Sequence, residues 1–346
     1  MDTKNMARIF NVFAKEECAG SSDLYERLSL QIADDEYLLQ LCLSVREGQP
    51  VPNLLFASVH DLLLRGADHE LANFYPSVTD KPDRRENPFP IFKAFCRENE
   101  EAILERLKTK RVQTNEVRRC AYLYPVFCSI HQQTKKPLSL IEIGTSAGLQ
   151  LLWDQYSYSY GDDQIYGNLD SYVHLTSKVR RGSLSPDVLK HTPSVTKRVG
   201  IDIHVSDLTK EEDVHWLKAL IWPEHEERRK NFETAVQQLR TYPPVLKEGD
   251  GVAMLPEIAG EIPEDTTLCI FHTHVANQMP ESVKDELLRQ VAGIGQRREV
   301  YHIYNNMSDR KLHVDSVVSG RLKTETIGET DGHGRWFDWE RDFTKR

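Results

Sequence analysis

Residues 138–154 read LSLIEIGTSAGLQLLWD. A short apolar, β-branched run carries Glu142, ends at Gly144 and gives way at Gly148 to a helix-like run. A strand–glycine–helix junction of this kind turns backbone N–H groups and a helix N-terminus toward the carboxyl edge of a parallel sheet, where ligands of open α/β sheets bind. Three ligand classes compete for the turn. A phosphate loop needs Gly-Lys-Ser/Thr after the glycines, and none is present. A dinucleotide turn needs G-x-G-x-x-G, but Ser146 and Leu149 stand where the second and third glycines belong. S-adenosylmethionine brings no phosphate, and its turn reads acid-x-G-x-G-x-G with the acid holding the methionine amine. Glu142, Gly144 and Gly148 fit that pattern, with Ser146 a departure. The pentapeptide GTSAG is also G-x-S-x-G, the nucleophile elbow of serine hydrolases. That reading makes Ser146 a nucleophile, but the upstream chain offers none of the strands that normally precede the elbow.

Further acids and histidines follow the turn in chain order. Asp202 closes the apolar run of RVGIDIHVSDL, a position from which a carboxylate accepts hydrogen bonds from ribose hydroxyls. Asp250 in KEGDGVAMLP stands where a Gly-Asp loop meets an adenine amino group. His272 and His274, in IFHTHV, are two apart and would face one side of a strand as proton-transfer groups or metal ligands. No third ligand has metal-site spacing, so no metal is expected. His333, in DGHGRW, is a further acid/base candidate. Gln113, Asn115, Glu116 and Arg119 open a helix. Either Thr114 or Asn115 caps it, or the group faces substrate, with Arg119 able to hold a carboxylate. Tyr156, Tyr158 and Tyr160 alternate, as in a hairpin with one aromatic face, so Tyr156 is a substrate-side candidate. Lys178, Arg180 and Arg181 read as solvated surface.

The elements that must position these residues divide the chain in two. Residues 1–135 carry apolar positions at helical spacing, such as Leu24, Leu28 and Ile32, and NLLFASVHDLLLRG at 53–66 is a further amphipathic run. From Pro137 the pattern changes. LSLIEIG (138–144), VGIDIHV (199–205), TTLCIFHTHV (266–275) and REVYHIYNN (298–306) read as buried parallel strands alternating with helices. GRWFDW reads as an antiparallel strand closing the sheet. The expected architecture is α/β: an all-helical domain over 1–135, then a doubly wound, mostly parallel, Rossmann-like sheet of methyltransferase type over 136–346, with an aromatic insertion at about 154–197.

The chain has 346 residues, 39% hydrophobic and 28% charged, with a formal net charge of −9. Such a balance excludes wholesale disorder and disfavours nucleic acid as the main partner. Six cysteines without a C-x-x-C pair read as buried thiols. No signal peptide or membrane span is read, so a cytoplasmic chain is expected.

Long ordered segments carry a family resemblance: VQTNEVRRCAYLYP (112–125), LIEIGTSAGLQLLWDQYSYSYG (140–161), RVGIDIHVSDL (198–208), WLKALIWPEHEERR (216–229), PPVLKEGD (243–250), IFHTHV (270–275) and DGHGRWFDW (331–339). On these the chain resembles bacterial domain-of-unknown-function family 2332, whose C-terminal part is similar to Rossmann-type methyltransferases. The resemblance implies a fold and a pattern but lends no catalytic residues. The functional expectation is an S-adenosylmethionine-dependent methyltransferase acting on a small molecule, with the helical domain as lid. The alternatives are a non-catalytic ligand-binding protein on the same fold, and a serine esterase using Ser146.

Overall fold

A computed structural model describes residues 2–83 and 86–340. The chain forms two compact units, Met1–Thr114 with Thr209–Lys230, and Asn115–Leu208 with Asn231–Arg346. Among the described residues no helix is long and apolar enough to cross a membrane.

The first unit is helical, with no strand among its described residues. Its helices Thr3–Phe13, Asp23–Ile32 and Glu36–Cys42 begin at Asp2, Ser22 and Asp35, each of which accepts a backbone N–H from the first turn. The apolar stripes meet in an aromatic core where Tyr25 stacks on Phe56 at 4.1 Å. The unit is discontinuous in sequence, because residues 209–230, including the Glu211–Ala219 helix, belong to it. Conversely, the Cys120–Thr134 helix belongs to the second unit, although its sequence groups it with the helical part.

The second unit is built on a seven-stranded sheet. Its strands are β1 (Leu138–Ile143), β2 (Val195–Asp202), β3 (Val245–Glu248), β4 (Thr267–His272), β5 (Val300–Tyr304), β6 (Lys311–Val318) and β7 (Arg321–Glu329). The spatial order is β7-β6-β5-β4-β1-β2-β3. β1 to β5 are parallel, and β6 and β7 add an antiparallel hairpin beside β5. The order 3-2-1-4-5 is doubly wound and reverses between β1 and β4, which makes the carboxyl ends of those two strands the switch point. β1 is buried along its whole length because both faces are covered. Ile141 and Ile143 pack with Leu268, Ile270 and the helices Gly251–Gly260 and Glu281–Gly295. The opposite face carries Glu142 and Phe271, and Phe271 meets Phe127 of the Cys120–Thr134 helix edge-on at 5.5 Å.

Several expectations need correction. Trp336–Trp339 does not close the main sheet; it pairs in parallel with Lys178–Gly182 in a separate two-stranded sheet. Arg180 is not merely solvated, since it donates to both carboxylate oxygens of buried Asp338 and to Glu329. After β1 there is no regular α-helix. Leu149–Gln155 is a 3-10 helix broken by non-helical backbone at Leu152. The alternating tyrosines do present one face, but inward: Tyr156 and Tyr158 are fully buried, and Tyr158 stacks on Tyr124 at 4.4 Å. All six cysteines are free and buried.

Candidate functional site

The turn after β1 is held by side chains from two other segments. Ser146 has left-handed backbone, with φ of 51°. Its N–H donates to Asp202 Oδ2 at 2.7 Å, and its hydroxyl accepts from Asn115 Nδ2 at 2.8 Å. Asn115 Oδ1 also accepts the Ala147 N–H at 3.3 Å. Neither Thr114 nor Asn115 caps the following helix. Glu116 does so, accepting the Arg118 N–H at the 3-10 turn Val117–Arg119 that leads into Cys120–Thr134. Asn115 is therefore a brace for the glycine turn. Gly144 and Gly148 have φ of 73° and 80°, where only glycine is comfortable. A Cβ at Gly144 would collide with Val275 from the turn after β4.

Left-handed backbone recurs along this edge. Ser146 follows β1, His274 (φ 56°) follows β4 and Asn306 (φ 59°) follows β5. Three adjacent strands thus end in strained non-glycine residues, a clustering typical of functional edges. His274 donates its N–H to Asn305 Oδ1 at 2.7 Å, and its Nδ1 lies 3.1 Å from Asn306 Nδ2.

The expected pairing of His272 with His274 on one strand face fails, because β4 ends at His272 and the left-handed step at His274 breaks the alternation. His272 instead meets His302 of β5, Nε2 to Nε2 at 3.1 Å, with both rings fully buried. Burial holds His272 down at about 4 and His302 well below its ordinary value, so both are neutral within the sheet. His274 is held at about 3, by burial first and then by the charges of Arg119 and His333.

Glu142 is 3% exposed, and its Oε2 accepts from Thr145 Oγ1 at 2.6 Å. Burial pushes its carboxyl up to about 8; the Thr145 hydrogen bond opposes this, Asp202 adds to it, and Arg119 also opposes it. Both oxygens of Asp202 are taken by backbone, Oδ2 by Ser146 and Oδ1 by the His204 N–H at 3.1 Å. Asp250 caps the Gly251–Gly260 helix, with Oδ1 accepting from the Val252 and Ala253 N–H groups at 2.9 and 3.1 Å. Tyr156 donates to Leu149 O at 2.8 Å and serves the core. Gln113 falls in the first unit, so the run from Gln113 to Arg119 does not act as one group within the second.

Arg119 lies at the centre of the convergence. It is 7% exposed. Nε donates to Gly332 O at 2.9 Å, and Nη1 reaches Thr273 O and Oγ1 at 3.4 Å each. Thr273 Oγ1 donates to Gln150 Oε1 at 3.0 Å, and Gln150 Nε2 donates to Glu116 O at 3.4 Å. Glu116 Oε2 lies 2.9 Å from His333 Nδ1. Glu142, Asn115, Glu116, Arg119, His274 and His333 thus share one region of the second unit, whereas His272, Asp250 and Tyr156 serve the scaffold. Sequence reasoning misses Gln150, Thr273, Asn305 and Asp331. Thr273, between two candidate histidines, and Asp331, two residues before His333, carry a positional signal; Gln150 and Asn305 carry none.

The fold and this edge define a doubly wound α/β protein with a polar switch point. Over residues 7–339 the chain matches the family described as "Uncharacterized protein conserved in bacteria (DUF2332)", and it belongs to that family. No curated protein matches it.

Proposed function

We propose that the second unit binds a small molecule through an anionic group, with Arg119 as its anchor. One observation carries this reading: Arg119 is a buried, permanently charged side chain whose hydrogen bonds end on carbonyls and a hydroxyl, with no carboxylate in ion-pair contact among the described residues. A buried cation left without a counter-charge costs several kcal/mol, and an incoming carboxylate or phosphate offsets that cost through charge-assisted bonds. The location agrees, since Arg119 bonds the residue following His272 at the end of β4, one side of the switch point.

The methyltransferase reading requires an adenosyl group to find its contacts here, and the residues as arranged do not fit one. Asp202 already accepts a backbone N–H on each oxygen, and Asp250 accepts two on Oδ1 as a helix cap. Val275 fills the space against Gly144, and Glu142 keeps its proton to about 8 with Thr145 as partner. The esterase reading lacks a base: Ser146 Oγ is bonded by Asn115 and by no histidine among the described residues.

Thermal-shift and calorimetric titrations test the three readings together. Malate, lactate and inorganic phosphate should stabilise the wild type but not Arg119→Met. Failure of all three anions on the wild type would sink the anion reading. Saturable binding of S-adenosylhomocysteine would restore the methyltransferase, and labelling of Ser146 by a fluorophosphonate would restore the esterase.

A further inference from the structure

We infer that Glu116 and His333 form an acid/base dyad that moves a proton on a ligand anchored at Arg119. The inference rests on the anion reading above and adds the chemistry of the site.

The loop carrying His333 is built to hold one shape. Asp331 Oδ2 accepts the N–H groups of His333 and Arg335 at 3.1 and 3.0 Å, and the Arg335 guanidinium closes on both carboxylate oxygens at 2.9 and 2.8 Å. The Gly334 N–H returns to Asp331 O at 2.9 Å. Gly334 has φ of 70°, and a Cβ there would collide with the backbone at Arg118. The loop therefore lies directly on the Glu116–Arg119 segment and turns His333 toward it.

Glu116 is 2% exposed, whereas the His333 side chain is 41% exposed. A buried carboxylate on Nδ1 fixes the tautomer with the proton on Nδ1, making Nε2 the basic nitrogen. Arg119 bonds the carbonyl of Gly332, one peptide before His333, so the anion anchor and the imidazole share one short stretch of chain. His274 lies beside Gly332, and its Nε2 is buried without a hydrogen-bond partner.

The step is a proton transfer. The anion of a small hydroxy- or amino-carboxylate sits on Arg119. His333 Nε2 takes the proton from the neighbouring O–H or N–H; that bond breaks and an Nε2–H bond forms. Glu116 stays ionised and stabilises the imidazolium, and Nε2–H returns the proton to the same ligand atom, a reversible exchange in which no other bond is made or broken. Glu116 is a positioning residue, and His333 is the catalytic one. A plain loop latch would use the same hydrogen bond, so the test must read reactivity as well as folding.

Diethyl pyrocarbonate acylates unprotonated imidazole, and its rate at His333 can be followed by peptide mass spectrometry at pH 8 in the full chain. Glu116→Gln keeps an acceptor for Nδ1–H but removes the charge. The wild type should react about threefold faster or more than the variant, given the effect of an adjacent carboxylate on imidazole basicity. Equal rates in two equally folded proteins would overturn the dyad. Should the glutamine variant melt early, Glu116→Asp supplies the comparison, with partial recovery of the rate expected and none counting against the dyad. Malate or lactate should slow acylation of His333 in the wild type and not in Arg119→Met. Stabilisation by malate without protection of His333 would keep the anion site and remove the proton-transfer role. A charge-dependent rate with no anion effect on the wild type would instead remove the ligand.

Discussion

Each unit buries a charge, and the two charges are treated in opposite ways. In the first unit the side chain of Asp61 is 1% exposed and is enclosed by two arginines: Arg65 Nε reaches both its oxygens at 3.0 and 2.9 Å, and Arg106 approaches through Nε and Nη2 at 2.9 and 2.8 Å. In the second unit Arg119 is almost as deeply buried, and among the described residues its hydrogen bonds reach only neutral acceptors. A closed network satisfies itself and holds helices together. An open one leaves interaction energy for a molecule from outside. On the proposed reading, burial of charge does not by itself mark a site; a buried charge without an ion-pair partner does.

The largest expected effect breaks the closed side. Asp61→Ala leaves the largely buried Arg106 without its carboxylate, while Arg65 keeps Glu212, and removing one partner of a buried pair costs about 3 kcal/mol or more. Chemical denaturation should show this loss, with anion binding by the second unit unchanged in whatever remains folded. A loss under about 1 kcal/mol would mean that the arginines relax into solvent and that the network is not closed. Arg119→Met is the mirror experiment. It removes a charge that has no ion-pair partner among the described residues, so the free protein should be as stable as wild type or more so. Affinity for malate should fall about tenfold to a hundredfold, the value of a charge-assisted bond. A large loss of stability in Arg119→Met would show that the neutral acceptors already suffice and that the network is closed after all.

Glu142 sharpens the same comparison through pH. The unfolded chain releases this proton near the ordinary value of 4.5, whereas the folded chain keeps it to about 8. Between those values folding takes up a proton, so the contribution of the neutral carboxyl is present below about 4.5 and is lost as pH rises through 8. Glu142→Gln mimics the protonated form. The variant should gain on wild type by about 1 kcal/mol or more above pH 8, one pKa unit being worth that much, and the gap should vanish near pH 5. Stability curves of the two proteins that run parallel across this window would show that Glu142 is ionised in the fold.

How much of this was legible depended on whether the signal was local. β1 announced itself as a continuous apolar run because both its faces are covered. β3 did not, since Val245–Glu248 is a four-residue edge strand with exposed ends and no core pattern. The β6–β7 hairpin carried a readable signal, an alternating run before Ser319-Gly320, where both residues have positive φ. That hairpin, rather than GRWFDW, supplies the antiparallel edge of the sheet. Residue types alone single out Glu142, Asn115, Glu116, Arg119 and His333 as candidates, and the structure brings them into one region. Their partners were out of reach: Gln150 and Thr273 are 123 positions apart, and Glu116 and His333 are 217 apart. Asp202 and Asp250 looked like ligand contacts because a carboxylate that ends a strand or opens a helix has the same local sequence whether backbone or ligand takes its lone pairs.

Asp250 is where that ambiguity is cheapest to resolve, and the expected effect is the smallest. Its Oδ1 accepts two N–H groups from the first turn of the Gly251–Gly260 helix, donors that otherwise have no partner within the helix. Replacing a capping aspartate with alanine costs about 1 kcal/mol, and asparagine caps nearly as well. Asp250→Ala should therefore lower the melting temperature by a few degrees, and Asp250→Asn should restore it. Were Asp250 held for an adenine amino group, the pattern would invert. Alanine would leave the melting temperature of the free protein unchanged, and titration with S-adenosylhomocysteine would show binding in the wild type that both variants lose. Because asparagine repairs the cap but not the charge, the two substitutions together distinguish a helix start from a ligand contact, which neither does alone.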